Sequence, residues 1–430
     1  MQTAVQHRDQ ERAHLRLELT IALGLCVLAA CPSPPSLAQS KPADRGPVEA
    51  LQDKLQSGQA QLQQRAGPWG YLPSLLKALD IPIDSQVLVF SKTSLQFDQI
   101  GPATPRAIYF NDDTAVGGVQ NGRVNEILTS GADGQVAFYT LDTAPSPHPA
   151  IKREGFRCMA CHATLNKWAA GAIVANVLPQ DDGTPIFQTV GQLFELTDSS
   201  TPFERRWGGW YVTGRHGAIQ HSGNMRLPPD GLVERNPAAG LNVTDLSSLF
   251  DVRPYLAPTS DIVALMTLEH QVGAMNRIWI LEAQARALNS SGSTQSTEAD
   301  VNRSIEDLVA YLVGANEAPM ASPVTGVSSF SRTFPQRGPF DARGRSLRDF
   351  DLKTRLFRYP LSYVIYGRAF NSLDPALRER IYKRLFEVLS GADHSPTFAR
   401  LTPEGKRAAL DILIQTKPDL PDYYRQPGVG

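Results

Sequence analysis

The spacing of hydrophobic positions changes along the chain, and each change predicts a different kind of element. Between residues 47 and 84, leucines recur at helical spacing, which predicts an N-terminal helical segment. Residues 85–245 carry short β-branched and aromatic runs separated by turn signals, which predict an antiparallel β-rich region. Over residues 246–430 the apolar positions mostly return to helical spacing. The pattern therefore predicts an α+β fold, in which an antiparallel β-rich region precedes a mostly helical C-terminal half.

Individual residues mark where helices of the C-terminal half begin. Ser260 is a candidate N-cap for a long helix with apolar stripes. Asp374–Pro375 and Thr402–Pro403 each combine an N-cap residue with a proline in the first turn, so they predict the starts of two further helices. Between these helices, the low-complexity stretch at residues 289–297 predicts a flexible linker.

An apolar run near the N-terminus, LTIALGLCVLAA, predicts an export signal. Its 12 residues are too few to span a bilayer and match the hydrophobic part of a secretory signal. Two processing sites stay open. Removal of residues 1–38 would leave a free protein, whereas LAAC resembles a lipobox, in which residues 1–30 are removed and Cys31 carries a lipid. We expect a periplasmic or exported protein, held at a membrane only if Cys31 is lipidated.

Composition narrows the classes of function. With 42 Lys and Arg against 43 Asp and Glu, the net charge is −1, which argues against a nucleic-acid partner. Hydrophobic residues make up 42% of the chain, enough for a buried core. Of the four cysteines, Cys26 and Cys31 lie in the predicted signal region, so the mature protein keeps Cys158 and Cys161, apart from Cys31 if that residue carries a lipid. One cysteine pair in an exported chain of this size does not make a disulfide scaffold.

These two cysteines form a C-x-x-C-H motif with His162, in the stretch EGFRCMACHA. Two intervening residues place both sulfurs on one side of a helical turn, where they can span the two vinyl groups of a porphyrin. The next residue, His162, is then carried beneath the porphyrin plane, where its imidazole can ligate iron. The spacing therefore predicts one covalently bound haem c, with Cys158 and Cys161 as attachment points and His162 as the proximal ligand.

Three other interpretations of the motif stay open. A redox dithiol needs only the two cysteines, usually at a helix start after a strand, but the preceding residues are loop-like. A zinc site would need further ligands, which His148, His216 or His221 could supply. The motif could also arise by chance.

The sixth iron ligand would come from a histidine, a methionine or no residue. The segment at residues 204–225 is the richest source, and its His216, His221 and Met225 are the candidate distal ligands. Each histidine there could instead be an ordinary hydrogen-bonded residue. His270, on the apolar face of a predicted helix, is better explained as a core residue.

Charged and aromatic residues of the same segment have two interpretations each. Three arginines could pair with the haem propionates or form a solvated basic loop: Arg205, Arg206 and Arg215. Two tryptophans could wall a haem pocket or belong to the core: Trp207 and Trp210.

Several segments resemble a group of exported bacterial proteins that contain a cytochrome c domain with a single haem motif. The similar segments are FRCMACHA, RWGGWYVTGRHG, RSLRDFDLKTRLFRYPLSYVIY and TKPDLPDYY. The resemblance implies haem binding and electron transfer. The only functional residues that it implies are Cys158, Cys161 and His162. The group has no established reaction, so it implies no catalytic residues. The chain is not similar to two-haem peroxidases, because it lacks a second C-x-x-C-H.

Two functions follow from a haem at this motif. The first is an electron-transfer cytochrome with both axial positions filled, serving a redox partner that the sequence does not identify. The alternative is a haem enzyme of the peroxidase or oxygenase type, whose distal site stays open and whose His216 or His221 moves protons. The chain is several times longer than a small domain of about 100 residues, so it has material for a docking surface or a substrate cavity. A third, non-haem function is a binding or structural module that uses the cysteines for zinc or a disulfide.

Overall fold

The computed structural model divides the chain into two compact units, residues 1–43 and 44–430. The residues that it describes all belong to the second unit: 45–131, 134–163, 169–186, 195–227, 240–290 and 296–425. The predicted export signal, with both processing sites and Cys31, therefore lies outside the described residues.

Antiparallel strands dominate the N-terminal half of the described chain. They are β1 (Val87–Val89), β2 (Arg106–Phe110), β3 (Thr114–Gly118), β4 (Val124–Ser130), β5 (Val136–Asp142), β6 (Ile151–Glu154), β7 (Ala175–Asn176), β8 (Glu195–Leu196) and β9 (Trp210–Tyr211). Within the described residues, seven of them form one sheet in the order β6-β5-β4-β3-β2-β1-β9, and β7 pairs with β8 separately. Successive strands from β1 to β6 are neighbours, so short connections of turn-rich sequence suffice to build most of this sheet.

One face of the sheet packs against two N-terminal helices, α1 (Pro47–Gln56) and α2 (Leu72–Ala78). Their buried leucines contact every second residue of the central strands. In β1, Leu88 belongs to this core, whereas its neighbours Val87 and Val89 belong to the core on the opposite face. The alternation is the two-residue period of a strand, which is why the pattern predicts these strands correctly.

The opposite face of the sheet packs against the helical C-terminal half. The α-helices after β6 are α3 (Phe156–His162), α4 (Ile262–Asn289), α5 (Glu298–Leu312), α6 (Phe330–Thr333), α7 (Arg368–Asn371), α8 (Pro375–Leu389) and α9 (Pro403–Thr416). Short 3₁₀ helices lie at Ile83–Ser85, Phe203–Arg205, Pro335–Arg337, Tyr363–Tyr366, Pro396–Phe398 and Asp422–Arg425. The first half of α4 is buried on all sides, because the sheet and the other helices surround it. This arrangement confirms the predicted α+β fold.

Capping residues begin the helices as predicted, with one exception. Asp374 and Thr402 each accept backbone N–H bonds at the starts of α8 and α9, and a proline follows each of them. The N-cap of α4 is Asp261, whose carboxylate accepts from two backbone N–H groups, and not the predicted Ser260. The Ser260 hydroxyl accepts from the Leu88 N–H and donates to the Tyr211 carbonyl, so it joins the start of α4 to the sheet.

The borders of the predicted regions differ in detail from the observed elements. Residues 246–261 form turns, and the helical half begins only at α4. The predicted linker at 289–297 coincides with the connection between α4 and α5, of which residues 291–295 lie outside the described part. No helix within the described ranges is long and apolar enough to cross a membrane.

Candidate functional site

The C-x-x-C-H motif lies in the short helix α3, which begins one residue after the edge strand β6. The expectation that the preceding residues are loop-like was therefore wrong for residues 151–154, which pair with β5. Cys158 and Cys161 are three positions apart on this helix, so their side chains share one face. Both are thiols, and both line one cavity together with His162. The local geometry that the spacing predicts, two sulfurs and an imidazole at a common surface, is therefore present.

The His162 ring is held in one tautomer by the backbone. Its Nδ1 atom lies 2.6 Å from the carbonyl oxygen of Gly171. A carbonyl only accepts hydrogen bonds, so Nδ1 carries the proton and Nε2 keeps its lone pair. Burial lowers the pKa of His162, which favours the neutral ring. A neutral imidazole whose second nitrogen donates to a carbonyl is the form in which histidine ligates metals.

Helix α4 fixes the position of the carbonyl that receives this hydrogen bond. The Asn276 side chain accepts from the Ala172 N–H at 2.9 Å and donates to the Ala172 carbonyl at 3.0 Å. We call Gly171–Ala172 the strap. The Gly171 N–H also donates to the His162 carbonyl at 3.3 Å. Hydrogen bonds therefore connect α4 to the strap, and the strap to the His162 ring.

The cavity beside α3 has a volume of about 840 Å³. This volume lies near the upper end of the roughly 300–1,000 Å³ that small-molecule and cofactor pockets occupy. The sheet, residues 172–177 and α4 supply its walls. Apolar side chains on these walls are Ile108, Ala115, Leu128, Phe138, Ala172, Ile173, Val174, Val177, Trp210, Leu268, Val272 and Met275. Such walls suit a large, flat and mostly apolar ligand.

A charged pair lies on the sheet face of the cavity. Arg106 of β2 reaches across β3 to an ion pair with Glu126 of β4. It crosses the sheet at Gly117, where any Cβ atom would collide with the guanidinium group. Glu126 also accepts from the Gln96 side chain at 3.1 Å. A larger residue at 117 would therefore displace the flexible end of the Arg106 side chain from this position.

The surroundings of the cysteines argue against a redox dithiol. Burial raises the pKa of Cys158 to about 11, and the negative charges of Glu154 and Glu126 act in the same direction. A catalytic dithiol requires the opposite, a thiol whose pKa is lowered so that the thiolate forms near neutral pH. Cys158 therefore stays protonated at physiological pH.

The zinc alternative finds no support in the part of the chain that the structure describes. No group of three or more His, Cys, Asp or Glu side chains there could hold a metal ion. His148, one of the proposed additional ligands, is exposed and does not line the cavity.

The candidate distal ligands His216, His221 and Met225 do not line the cavity. The two histidines are buried and face each other, with their Nε2 atoms 3.2 Å apart. His221 Nδ1 accepts from the Gly223 N–H, and His216 Nε2 accepts from the Asn242 N–H. Both rings are thus hydrogen-bonded residues of the interior, the alternative given for them above. The structure does not bring these three side chains together with His162 at the cavity.

The arginines proposed for the propionates also lie elsewhere. Arg206 is buried and pairs with Glu269 at 3.0 Å, Arg205 pairs with Glu195, and Arg215 is exposed. None of these three arginines lines the cavity, whereas Arg106 and Arg157 do. An inward-facing arginine in an alternating strand is a weak signal that could have pointed to Arg106.

Of the two tryptophans, one lines the cavity and the other belongs to the core. Trp210 lines the cavity, and its indole N–H donates to the Ala175 carbonyl at 2.9 Å. Trp207 is fully buried in the core. His270 is also a core residue, stacked on Tyr311 and hydrogen-bonded to the Ser362 hydroxyl at 2.7 Å. Burial lowers the pKa of His270 to about 3, so its ring is neutral.

Known proteins give no independent identification of this chain. No family model matches it, and no characterised protein or solved structure is significantly similar to it. The resemblance to exported proteins with a cytochrome c domain therefore stays a prediction from the quoted segments. The functional argument rests on the residues and the geometry around Cys158, Cys161 and His162.

Proposed function

We propose that the protein is a c-type cytochrome that binds one haem covalently through Cys158 and Cys161 and transfers electrons. One observation carries the proposal: both cysteines and His162 line the same mostly apolar cavity of about 840 Å³. The motif needs space for a flat macrocycle directly beside the two sulfurs, and this cavity supplies it. His162, with its lone pair on Nε2, is the proximal ligand.

Each residue of the motif has a defined task in this proposal. The bound haem supplies the one-electron redox chemistry. When haem is attached, the S–H groups of Cys158 and Cys161 would add across its two vinyl groups and form two thioether bonds. The Gly171 carbonyl holds the His162 ring and increases its basicity as a ligand. The apolar walls exclude water, which is one of the ways in which a protein sets a haem potential.

The charged groups of the cavity suit the periphery of a haem. Propionates are carboxylates, and arginine binds carboxylates through paired N–H donors. Arg106 lines the cavity, and its side chain is 20% exposed, so its charge is partly shielded from water. We infer that the arginines of the cavity wall, Arg106 and Arg157, serve this role in place of the arginines that the sequence suggested.

We also propose that the protein is periplasmic or otherwise exported. The apolar run before residue 31 has the length of a secretory signal, and the haem c motif follows in the same chain. Its redox partner is another protein, and the even balance of charges speaks against nucleic acid.

The second candidate function, a haem enzyme with an open distal site, is favoured by one observation. Asp113 and Gln271 line the cavity, and burial raises the pKa of Asp113. A carboxyl group whose pKa is raised takes up a proton more readily than an exposed one, which suits a group that exchanges protons with a substrate. His216 and His221, which the sequence suggested for this task, are not in the cavity wall.

The experiment is export of the full chain in a host that attaches haem c, followed by mass and visible spectra of the purified protein. We expect the mass of one haem beyond the processed polypeptide. Cys158→Ala and Cys161→Ala should weaken covalent attachment, and His162→Ala should change the iron spectrum. Met159→Ala is the matched control, because Met159 lies between the cysteines and is 37% exposed. A colourless wild-type protein from a host that matures other haem c proteins would overturn the proposal.

A further inference from the structure

One face of helix α4 forms a wall of the cavity. Leu268, Gln271, Val272 and Met275 all line it, and their spacing of three, one and three residues places them on a common helix face. Met275 is 3% exposed, so its thioether is shielded from bulk water. This face therefore places one methionine at the same cavity that Cys158, Cys161 and His162 line.

Few side chains of the cavity wall could ligate iron. Among the described residues that line the cavity, Met275 and His162 are the only methionine and histidine. Gln271, one turn before Met275, already uses both ends of its amide. Its oxygen accepts from the Tyr363 hydroxyl at 2.7 Å, and its nitrogen donates to the Asn111 carbonyl at 2.9 Å. Thioether and imidazole groups are the usual axial ligands of electron-transfer haems.

The structure also holds α4 in a fixed relation to His162. Asn276, which follows Met275, binds both backbone groups of Ala172, and the Gly171 carbonyl accepts from the His162 ring. The strap therefore joins the helix that carries Met275 to the helix that carries His162. A ligand pair needs such a link, because two axial ligands must keep their separation when the protein fluctuates.

We propose that Met275 is the second axial ligand of the haem iron. The inference rests on the proposed function and deepens it, because a second protein ligand on the iron favours an electron carrier over a haem enzyme. With Met275 bound, both axial positions are filled, and an external small ligand must displace the sulfur before it can bind. A thioether ligand also raises the reduction potential relative to bis-histidine ligation, so the partner is a protein that exchanges electrons at a high potential.

The test compares Met275→Leu with Met266→Leu in the full, haem-loaded protein. Met266 lies on the same helix and is likewise 3% exposed, but it does not line the cavity. Leucine and methionine have similar volumes, so neither change should unfold the protein. We expect Met275→Leu to lose the low-spin spectrum, gain rapid cyanide binding and shift the reduction potential downwards. Met266→Leu should keep the wild-type values of all three.

A measurement on the wild-type protein covers the case in which Met275→Leu fails to fold. The ferric protein should show the sulfur-to-iron charge-transfer band of thioether ligation. A covalent haem without this band, or with spectra unchanged in Met275→Leu, overturns the inference and leaves the proposed function standing. A wild-type protein without haem overturns the proposed function, and the inference with it.

Discussion

Replacing Asn276 with alanine should destabilise the protein and loosen the His162 ring at the same time. The change removes the two hydrogen bonds to Ala172, of 2.9 and 3.0 Å. A typical intramolecular hydrogen bond contributes about 0.5–1.5 kcal/mol, so the two together contribute about 1–3 kcal/mol. Ala172 is 4% exposed, which prevents water from replacing the lost partners easily. We therefore expect a loss in the upper part of this range.

The assay is denaturant unfolding of the haem-loaded protein, with the His162 Nδ1 proton followed by NMR in the reduced state. In Asn276→Ala the strap is free to move, so this proton should exchange with solvent faster than in the wild type. Asn302→Ala is the matched control, because Asn302 is an exposed helical residue that bonds only the Arg380 side chain among the described contacts. Its cost should stay within about 0.5 kcal/mol. Equal stability and equal proton exchange in Asn276→Ala and the wild type would refute the reasoning.

Three further predictions concern charge and burial. Arg206→Met leaves the buried Glu269 carboxylate without its charged partner and should cost about 3–5 kcal/mol in denaturant unfolding. Adding Glu269→Gln should recover part of the loss, and no recovery would contradict the charge argument. Gly117→Val should push the flexible end of Arg106 away from Glu126 and cost at most about 1 kcal/mol in denaturant unfolding, because the guanidinium group can move and the pair is partly exposed. A larger loss would contradict the idea that only the arginine side chain shifts. Because burial lowers the pKa of His270 to about 3, the unfolded chain takes up its proton first as the pH falls below about 6.5. Stability should fall through this range by up to about 1.4 kcal/mol per pH unit for this one group. His270→Gln should therefore give a shallower slope of unfolding free energy against pH, and an identical slope would be evidence against this origin.

The cavity wall draws on a long stretch of the chain. The lining residues run from Val89 in β1 to Met275 in α4, and they include parts of the sheet, α3 and residues 172–177. The enclosure is therefore spread over most of the β-rich region and the first long helix. In this fold the proposed haem site is therefore not a small separate domain.

Several features of the protein follow from local sequence. The two-residue period of the strands and the N-caps at Asp374 and Thr402 act over a few residues, so the sequence predicts them correctly. The shared face of Cys158 and Cys161 has the same origin, because residues three apart on a helix are neighbours whatever surrounds them.

The opposite wall of the cavity depends on tertiary structure. His216, His221 and Met225 are concentrated in one segment, which made them the natural candidates in the sequence, yet they lie away from the cavity. Met275 reaches it because α4 packs across the sheet, and the strap carries the contact from Asn276 to His162. The sequence by itself therefore determined the fold class and the motif, since both depend on short-range spacing. Only the tertiary structure decided which distant side chains face the motif, because long-range packing brings together residues that share no local pattern.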